Sequence, residues 1–549
     1  MLTYLDVTVA EGATGPTAGR KGILLALAPM GALLIGVLVR LWFVLQADFP
    51  LHDGGLFYLM TEELQRAHYR LPLYTAYNGA RIPFAYPPLG LYLAGLLSDL
   101  GHWPLIELFR FLPLILNALT ILAFYGLARA MLSSRAGVAI AVFVFALLPR
   151  SFQWLIVGGG VTRALGLLFA VLAIRHAYLL YARRDARHLL PTIVFTGCTL
   201  LSHLEMAVFL AASLAVLFLA CGRRRAGLVQ TVLIGTGSVL LAAPWWGAVV
   251  ARHGLAPFLA AGHHGWPLFG GLTDLLVFQV TDEPFFPVLG ILALLGVLAC
   301  LAERRFLLPV WLLALFAVDP RAARTDAIVP LALLASVGAQ EVLLPLLRRA
   351  PGGGVSGAAG AYNSTLLAGV AVFITFSAVM TGLAADVRLL VGLSAEEREA
   401  MRWVAANTPP SSTFIVITGE KQWGCDRSAE WFPVLADRTS LGTAQGYEWL
   451  DGFAQRVERA EELQGCASKD LGCVEQWARE GGLDFDYIYI AKRRADYPSV
   501  STRQCCPGLE SILRSSPGYE MVYDSAGASV FRRVRAAGRA VARVQLAVS

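Results

Sequence analysis

The first 385 residues are a succession of apolar runs near twenty residues long, separated by short polar segments. The runs fall at about 23–45, 106–131, 136–157, 164–182, 189–204, 205–222, 228–251, 285–302, 306–318, 327–347 and 364–385. Apolar runs near this length are read as membrane-crossing helices. Two further segments break the rhythm. Residues 56–69 place Leu56, Leu59, Met60, Leu64 and Ala67 three or four apart, which predicts an amphipathic helix lying on the membrane. Residues 83–99 form a shorter run that opens with Pro83, Pro87 and Pro88, which suits an interfacial or re-entrant helix rather than a span.

From residue 386 the pattern changes. Ser394 followed by Glu397 marks a helix start, and Pro409-Pro410 marks its end. Residues 414–418 and 485–491 read as buried strands, and the segments MVYD and ASVFRRV read as a terminal hairpin. The pattern divides the chain into a tail (1–22), a membrane domain (23–385) and a C-terminal α/β domain (386–549), with a candidate catalytic outer loop at 46–105. The fold class is therefore a polytopic α-helical membrane protein of about eleven spans with a folded C-terminal domain.

Composition supports this reading. The chain has 549 residues, 56% hydrophobic and 15% charged, with a mean hydropathy of +0.59. Soluble proteins carry about 25% charged residues. The net charge of +6 is modest, so the balance does not point to nucleic acid. Placement of the basic residues is more informative. Arg20/Lys21, Arg129/Arg135, Arg183/Arg184/Arg187, Arg223/Arg224/Arg225, Arg304/Arg305 and Arg348/Arg349 fall at alternate ends of the runs. Basic loops favour the cytoplasm, which sets the N-terminus inside and the C-terminal domain outside. The N-terminal tail has no basic leader before Arg20, and no small-residue cleavage site follows the first run, so that run is expected to be retained. Five of the eight cysteines lie after residue 386, which fits an oxidising outer compartment; Cys466 and Cys473 are close enough in sequence to pair. Asn363-Ser364-Thr365 has the form of a glycosylation acceptor but falls at the inner end of the last run.

On this topology the polar residues of interest gather outside. Asp53 follows the first run within His52-Asp53-Gly54-Gly55, where it serves either as a reactive carboxylate or as a cap of the amphipathic helix. The second loop holds Arg150, Gly158–Gly160 and Arg163, the last able to hold a phosphate or to reach back to the interface. His203 and Glu205 occupy a tight turn, with a polar-site role and a structural hydrogen-bonding role both open. The fourth loop holds His263, His264, Asp274, Asp282 and Glu283. Adjacent histidines with no third ligand at metal spacing do not make a metal site. The fifth loop holds Asp319, Arg321, Arg324 and Asp326, read as phosphate contacts or as Asp–Arg surface pairs. In the C-terminal domain, residues 430–450 set Trp431 and Glu448 among aromatics and glycines. That mixture suits either an acceptor-binding loop or a packed core with a turn at Gly446.

An acid after the first span, a short amphipathic helix, and Tyr86-Pro87-Pro88-Leu89 with Tyr92 together resemble the GT-C superfamily of membrane glycosyltransferases. That group includes protein O-mannosyltransferases, aminoarabinose transferases and oligosaccharyltransferase catalytic subunits. The resemblance covers residues 20–385 in order and topology. It implies transfer of a sugar from a polyprenyl-phosphate or diphosphate donor at the outer face of a prokaryotic plasma membrane, to a glycan, lipid or protein acceptor. It also implies Asp53 as general base, Arg324 against the donor phosphate, and single displacement with inversion. Tyr86 and His52 belong to the same motif region. Oligosaccharyltransferases place an acidic pair in the second loop for a divalent metal; no Asp or Glu stands between Leu148 and Gly166 here. That difference points to metal-independent, monophosphate-donor branches, so no cofactor is expected. The competing readings are a GT-C-like scaffold without activity and a secondary transporter. No internal repeat supports the transporter.

Overall fold

The computed structural model describes residues 16–262, 273–277, 280–348, 364–386, 389–494 and 503–534. His263, His264, Arg349 and Asn363 lie outside these residues. The chain separates into two compact units. The first comprises residues 1–75, 81–392 and 448–451; the second comprises 76–80, 393–447 and 452–549.

The first unit is helical. Its helices are α1 (Pro16–Gln46), α2 (Gly55–Arg66), α3 (Leu89–Gly101), α4 (Leu105–Met131), α5 (Arg135–Leu147), α6 (Gly160–Ala182), α7 (Leu189–Ser202), α8 (Leu204–Leu217) and α9 (Arg225–His253). These are followed by α10 (Ala256–Gly262), α11 (Val288–Ala302), α12 (Leu307–Val318), α13 (Ala323–Asp326), α14 (Ile328–Val337), α15 (Leu344–Arg348) and α16 (Ser364–Leu383). Among the described residues, seven helical segments are long and apolar enough to cross a membrane: Leu27–Gln46, Leu105–Met131, Gly160–Ala182, Leu204–Gly222, Arg225–His253, Ile328–Leu347 and Thr365–Leu383. Four shorter apolar helices accompany them, at Leu89–Gly101, Arg135–Leu147, Val288–Ala302 and Leu307–Val318.

Each apolar run becomes a helix, with one difference of consequence. The run at 136–157 is helical only to Leu147; Pro149 opens a 3-10 turn, and residues 152–159 continue as turns to the start of α6. Proline removes a backbone donor and ends the ladder, leaving a compact loop beneath Asp53. The amphipathic segment forms α2, with Leu56, Met60 and Leu64 buried at four-residue spacing. The proline-led segment yields only the 13-residue α3. Helices α7 and α8 part at His203, whose backbone is extended (φ −160°, ψ 125°).

A buried cation anchors the second loop. Arg40, on α1, donates to the carbonyl of Ala146 at 2.7 Å, to Ser151 Oγ at 2.9 Å and to the carbonyl of Gly36 at 2.9 Å, and it bonds Asn117 on α4. Its guanidinium also lies 4.8 Å from the centre of the Phe152 ring. A charged side chain is tolerated inside an apolar bundle only when its donors are satisfied in this way. The result ties α1, α4 and the end of α5 to the loop that follows.

The second unit is built on a five-stranded sheet. Its strands are β3 (Thr413–Ile417), β4 (Thr439–Ser440), β5 (Tyr487–Ala491), β8 (Tyr519–Asp524) and β9 (Ala528–Arg533), in the order β4-β3-β5-β9-β8. The short pairs β1/β2 (Tyr74–Thr75, Ile82–Pro83) and β6/β7 (Arg493–Arg494, Arg503–Gln504) lie outside it. Strands β4, β3 and β5 are parallel, whereas β9 and β8 are antiparallel. Helices α17 (Ala395–Asn407), α18 (Arg427–Leu435), α19 (Phe453–Gly465), α20 (Leu471–Glu480) and α21 (Pro507–Ser515) complete the unit. Helix α17 starts with the capping box read from Ser394 and Glu397. One face of the sheet buries Ile415, Ile417, Ile488, Ile490 and Phe531 against Leu463, Val474, Trp477 and Leu509. Cys466 pairs with Cys473, and Cys505 with its neighbour Cys506. At the edge of the sheet, the Asn78 side chain accepts from the Ser440 N–H at 2.7 Å and donates to the Ser440 carbonyl at 2.9 Å. Tyr77 closes the same segment by donating to the Glu430 carbonyl at 2.7 Å.

Candidate active site

Asp53 is held by backbone, and the elements that hold it come from three parts of the first unit. The Gly158 N–H donates to the Leu51 carbonyl at 2.8 Å, and the His52 N–H donates to the Val391 carbonyl at 2.9 Å. With the ladder fixed on both sides, His52 turns left-handed (φ 55°) and Gly54 adopts φ 117°. Asp53 is thereby turned toward the start of α6, where Oδ1 accepts the Gly159 N–H at 2.7 Å. A Cβ at Gly159 would stand 2.7 Å from Oδ2, so only glycine permits this approach. The cap reading of Asp53 is corrected by this geometry: Gly54 is the N-cap of α2, and no side chain caps that helix. Asp53 sits instead at the positive end of α6, where it takes the Gly159 N–H and the helix dipole favours an anion.

Aromatic and cationic groups surround the carboxylate's neighbours. Arg163, in the first turn of α6, donates to the Trp154 carbonyl at 3.0 Å, with its guanidinium 5.7 Å from that indole centre. Its buried Nε has no partner among the described residues. His52 meets the other side of Trp154 edge-on at 5.5 Å between ring centres. Tyr86 shares a hydrogen bond with Thr162 at 3.3 Å and contacts Phe57, His203 and Trp449 edge-on at 4.6, 6.1 and 5.8 Å. Burial pushes the Tyr86 hydroxyl well above its ordinary value; the bond to Thr162 and Arg163 oppose that rise, whereas Glu205 and Glu448 add to it. His203 is buried, and its Nδ1 has no partner among the described residues. Thus Asp53, Tyr86, Arg163, His203, Glu205 and Glu448 share one neighbourhood.

A second group lies on the fourth and fifth loops. Arg150 pairs with Asp282, and Arg324 pairs with Asp274 at 2.8 Å and Asp282 at 3.1 Å. Arg321 reaches Glu205 at 3.3 Å. The fifth-loop partners are therefore long-range: Arg324 pairs with the fourth loop rather than with Asp326. Asp326 is 1% exposed, and its Oδ1 has no partner among the described residues. Burial, with Glu205 and Asp319 nearby, holds its carboxyl well above the usual range. Glu283 does not face the arginines; it caps α11, accepting the Leu289 and Gly290 N–H groups at 3.0 and 2.8 Å.

Trp431 belongs to the second unit, where it is 0% exposed. At that exposure it is enclosed by protein and presents no face to solvent. Glu448 belongs to the first unit with Trp449. Among the described residues no group of three or more His, Cys, Asp or Glu is arranged to hold a metal ion. Thr162, Trp154 and Arg40 were not evident from the sequence, which marked Gly159 only as part of its glycine run. The glycine run 158–160 and a lone charge in the first apolar run were the available signals.

No protein-family model and no curated protein matches the sequence. Solved structures do. Archaeal oligosaccharyltransferase AglB from Archaeoglobus fulgidus, in complex with an inhibitory peptide and a dolichol-phosphate, aligns with a TM-score of 0.51 at 15% identity, over 84% of this chain and 69% of that one. Mycobacterial arabinofuranosyltransferase AftD aligns at 0.54 and 16% identity, over 96% of this chain, which spans 40% of AftD's length. ArnT from Cupriavidus metallidurans, bound to undecaprenyl phosphate, aligns at 0.51 and 14% identity, over 94% of this chain and 98% of that one. At these identities the likeness is one of fold, and the three share one: this chain has the fold of the GT-C membrane glycosyltransferases.

Proposed function

We propose that the chain is a membrane glycosyltransferase that moves a sugar from a polyprenyl-phosphate donor to an acceptor hydroxyl on the outer face of a prokaryotic plasma membrane. The observation that carries this reading is the Asp53 carboxylate, anchored through Oδ1 on Gly159 at the start of α6 with Arg163 one turn inside. Two structures of similar fold are complexes with a lipid phosphate, dolichol-phosphate for AglB and undecaprenyl phosphate for ArnT. The same class of ligand suits the arginines here.

In this reading Asp53 accepts the proton of the acceptor hydroxyl as that oxygen bonds to the anomeric carbon. The anomeric carbon–oxygen bond breaks, and its electron pair leaves on the phosphate. Arg163, Arg324 and Arg150 receive that charge. Attack opposite to departure inverts the anomeric centre, and one carboxylate suffices. His52, Tyr86, His203, Glu205 and Glu448 line the acceptor and sugar side. On the topology read from the basic residues, with eleven spans, the N-terminus inside and the C-terminal unit outside, this chemistry takes place outside the cell. No metal takes part in this scheme.

The test is transfer from radiolabelled polyprenyl-phosphate sugars to a membrane acceptor fraction, comparing wild type with Asp53→Asn, each with and without chelator. Transfer that survives chelator and vanishes in Asp53→Asn supports the reading. Equal transfer by both proteins removes Asp53 as base, and loss with chelator requires a metal.

A further inference from the structure

The two arginines read above as phosphate contacts already hold an anion. Asp282 bonds Arg150 through Oδ2 and Arg324 through Oδ1, the latter at 3.1 Å, so its carboxylate bridges both guanidinium groups. These side chains are sheltered: Arg150 is 21% exposed and Asp282 18%. Two guanidinium groups this close repel unless an anion lies between them. A carboxylate with one oxygen on each arginine offers what two oxygens of a phosphodiester would offer.

The way Asp282 is held is also unusual. Its backbone is left-handed (φ 52°), a conformation non-glycine residues seldom adopt. The turn is fixed from the next residue: Glu283 accepts the Leu289 and Gly290 N–H groups and the Thr281 hydroxyl, the last at 2.9 Å. Asp282 is thus pinned by bonds that do not involve the arginines, and its side chain alone must move to release them. Among the described residues Asp274 pairs with Arg324, at 2.8 Å, and not with Arg150.

Resting on the reading of Arg150 and Arg324 as phosphate contacts, we propose that Asp282 is a built-in counter-anion that occupies the phosphate position between them until a lipid-linked phosphate displaces it. Its carboxylate keeps both guanidinium groups in their ligand-bound spacing. It also sets a threshold: a phosphate without a prenyl chain has no second source of binding energy with which to displace it. Asp282 is a specificity-determining residue in this sense and makes no bond to the reacting carbon.

The test is equilibrium binding of radiolabelled undecaprenyl phosphate to the full chain in detergent, with inorganic phosphate as competitor. Arg150→Gln and Arg324→Gln are expected to weaken binding about tenfold or more, and Asp282→Asn to tighten it about tenfold. Asp274→Asn tightens it less, having one arginine to release. Inorganic phosphate competes with the lipid in Asp282→Asn and fails to do so in wild type. Asp282→Asn that binds no tighter than wild type, while the arginine variants bind weakly, overturns the counter-anion and leaves the phosphate contacts standing. Arginine variants that bind as wild type does overturn both. If Asp282→Asn does not fold, the Asp274→Asn result decides, since a residue of structural importance only would weaken binding on removal and never tighten it.

Discussion

The Gly159 N–H and Asp53 Oδ1 are joined at 2.7 Å across 106 residues of chain. This bond makes the position of the carboxylate a property of the second loop and of the start of α6, as much as of the loop that carries it.

The glycine is therefore the sensitive partner. In Gly159→Ala the new methyl group would stand 2.7 Å from Oδ2 and 3.0 Å from Cγ of Asp53. Displacing a reactive group by about an ångström costs about a hundredfold in rate. Transfer by Gly159→Ala is expected to fall by about that factor with a melting temperature near that of wild type. Full activity in this variant would show that the contact does not place Asp53.

Arg40 acts at longer range. Arg40→Met keeps much of the volume but leaves the Ala146 carbonyl, Asn117 and Ser151 without the donor that now satisfies them. Unsatisfied buried groups and lost charge-assisted bonds cost about 3 kcal/mol together. The variant is expected to melt lower in detergent, with faster proteolysis between residues 148 and 159. An unchanged melting profile would remove Arg40 as the anchor of the second loop.

Asp426 gives the second unit a pH dependence with a definite sign. Its carboxyl accepts the Ala429 N–H at the start of α18 and the Thr418 hydroxyl, yet burial pushes it from 3.8 up to about 6. Between those values the folded chain keeps a proton that the unfolded chain has lost, so stability falls as pH rises through that window and levels off above it. The fall is about 3 kcal/mol. Asp426→Asn retains a capping side chain and is expected to flatten the fall, read as amide exchange of β3 in the full-length protein at pH 4 and pH 6. A slope equal to that of wild type would assign the dependence to other groups.

The disulfides report on compartment. Closing the short loop between Cys466 and Cys473 is worth about 2.5 kcal/mol. In intact cells these two cysteines are expected to resist a membrane-impermeant maleimide until an impermeant reductant is added, and then to react. Labelling that requires permeabilised cells would place the second unit inside and reverse the topology.

Much of the fold was legible because the bilayer imposes a simple rule, that each apolar run of sufficient length becomes a helix. Asp53 stood out for a related reason, being, with Asp48, one of the first acids after the first such run. The site's connections were not legible in the same way. Nothing local links Asp282 to Arg150 or Arg324, and local pairing suggested Asp326 for Arg324, because proximity in sequence is a poor guide where loops from separate helices converge. Trp431 shows the complementary difficulty: composition marks an aromatic beside acids but does not reveal which face of a helix turns inward. Arg40 could have been flagged, since a charge within an apolar run is rare without a purpose.

The side chain of Asn78 pairs with the backbone of Ser440 as a further strand would, across 362 residues. Edge strands left open invite pairing with other chains. Residues 76–80 are synthesised long before the strand they seal, so the sheet closes with a piece that has been waiting since the loop after α2 was made. A fragment beginning at Leu393 would fold with that edge bare, and its tendency to self-associate would come from a segment it does not contain.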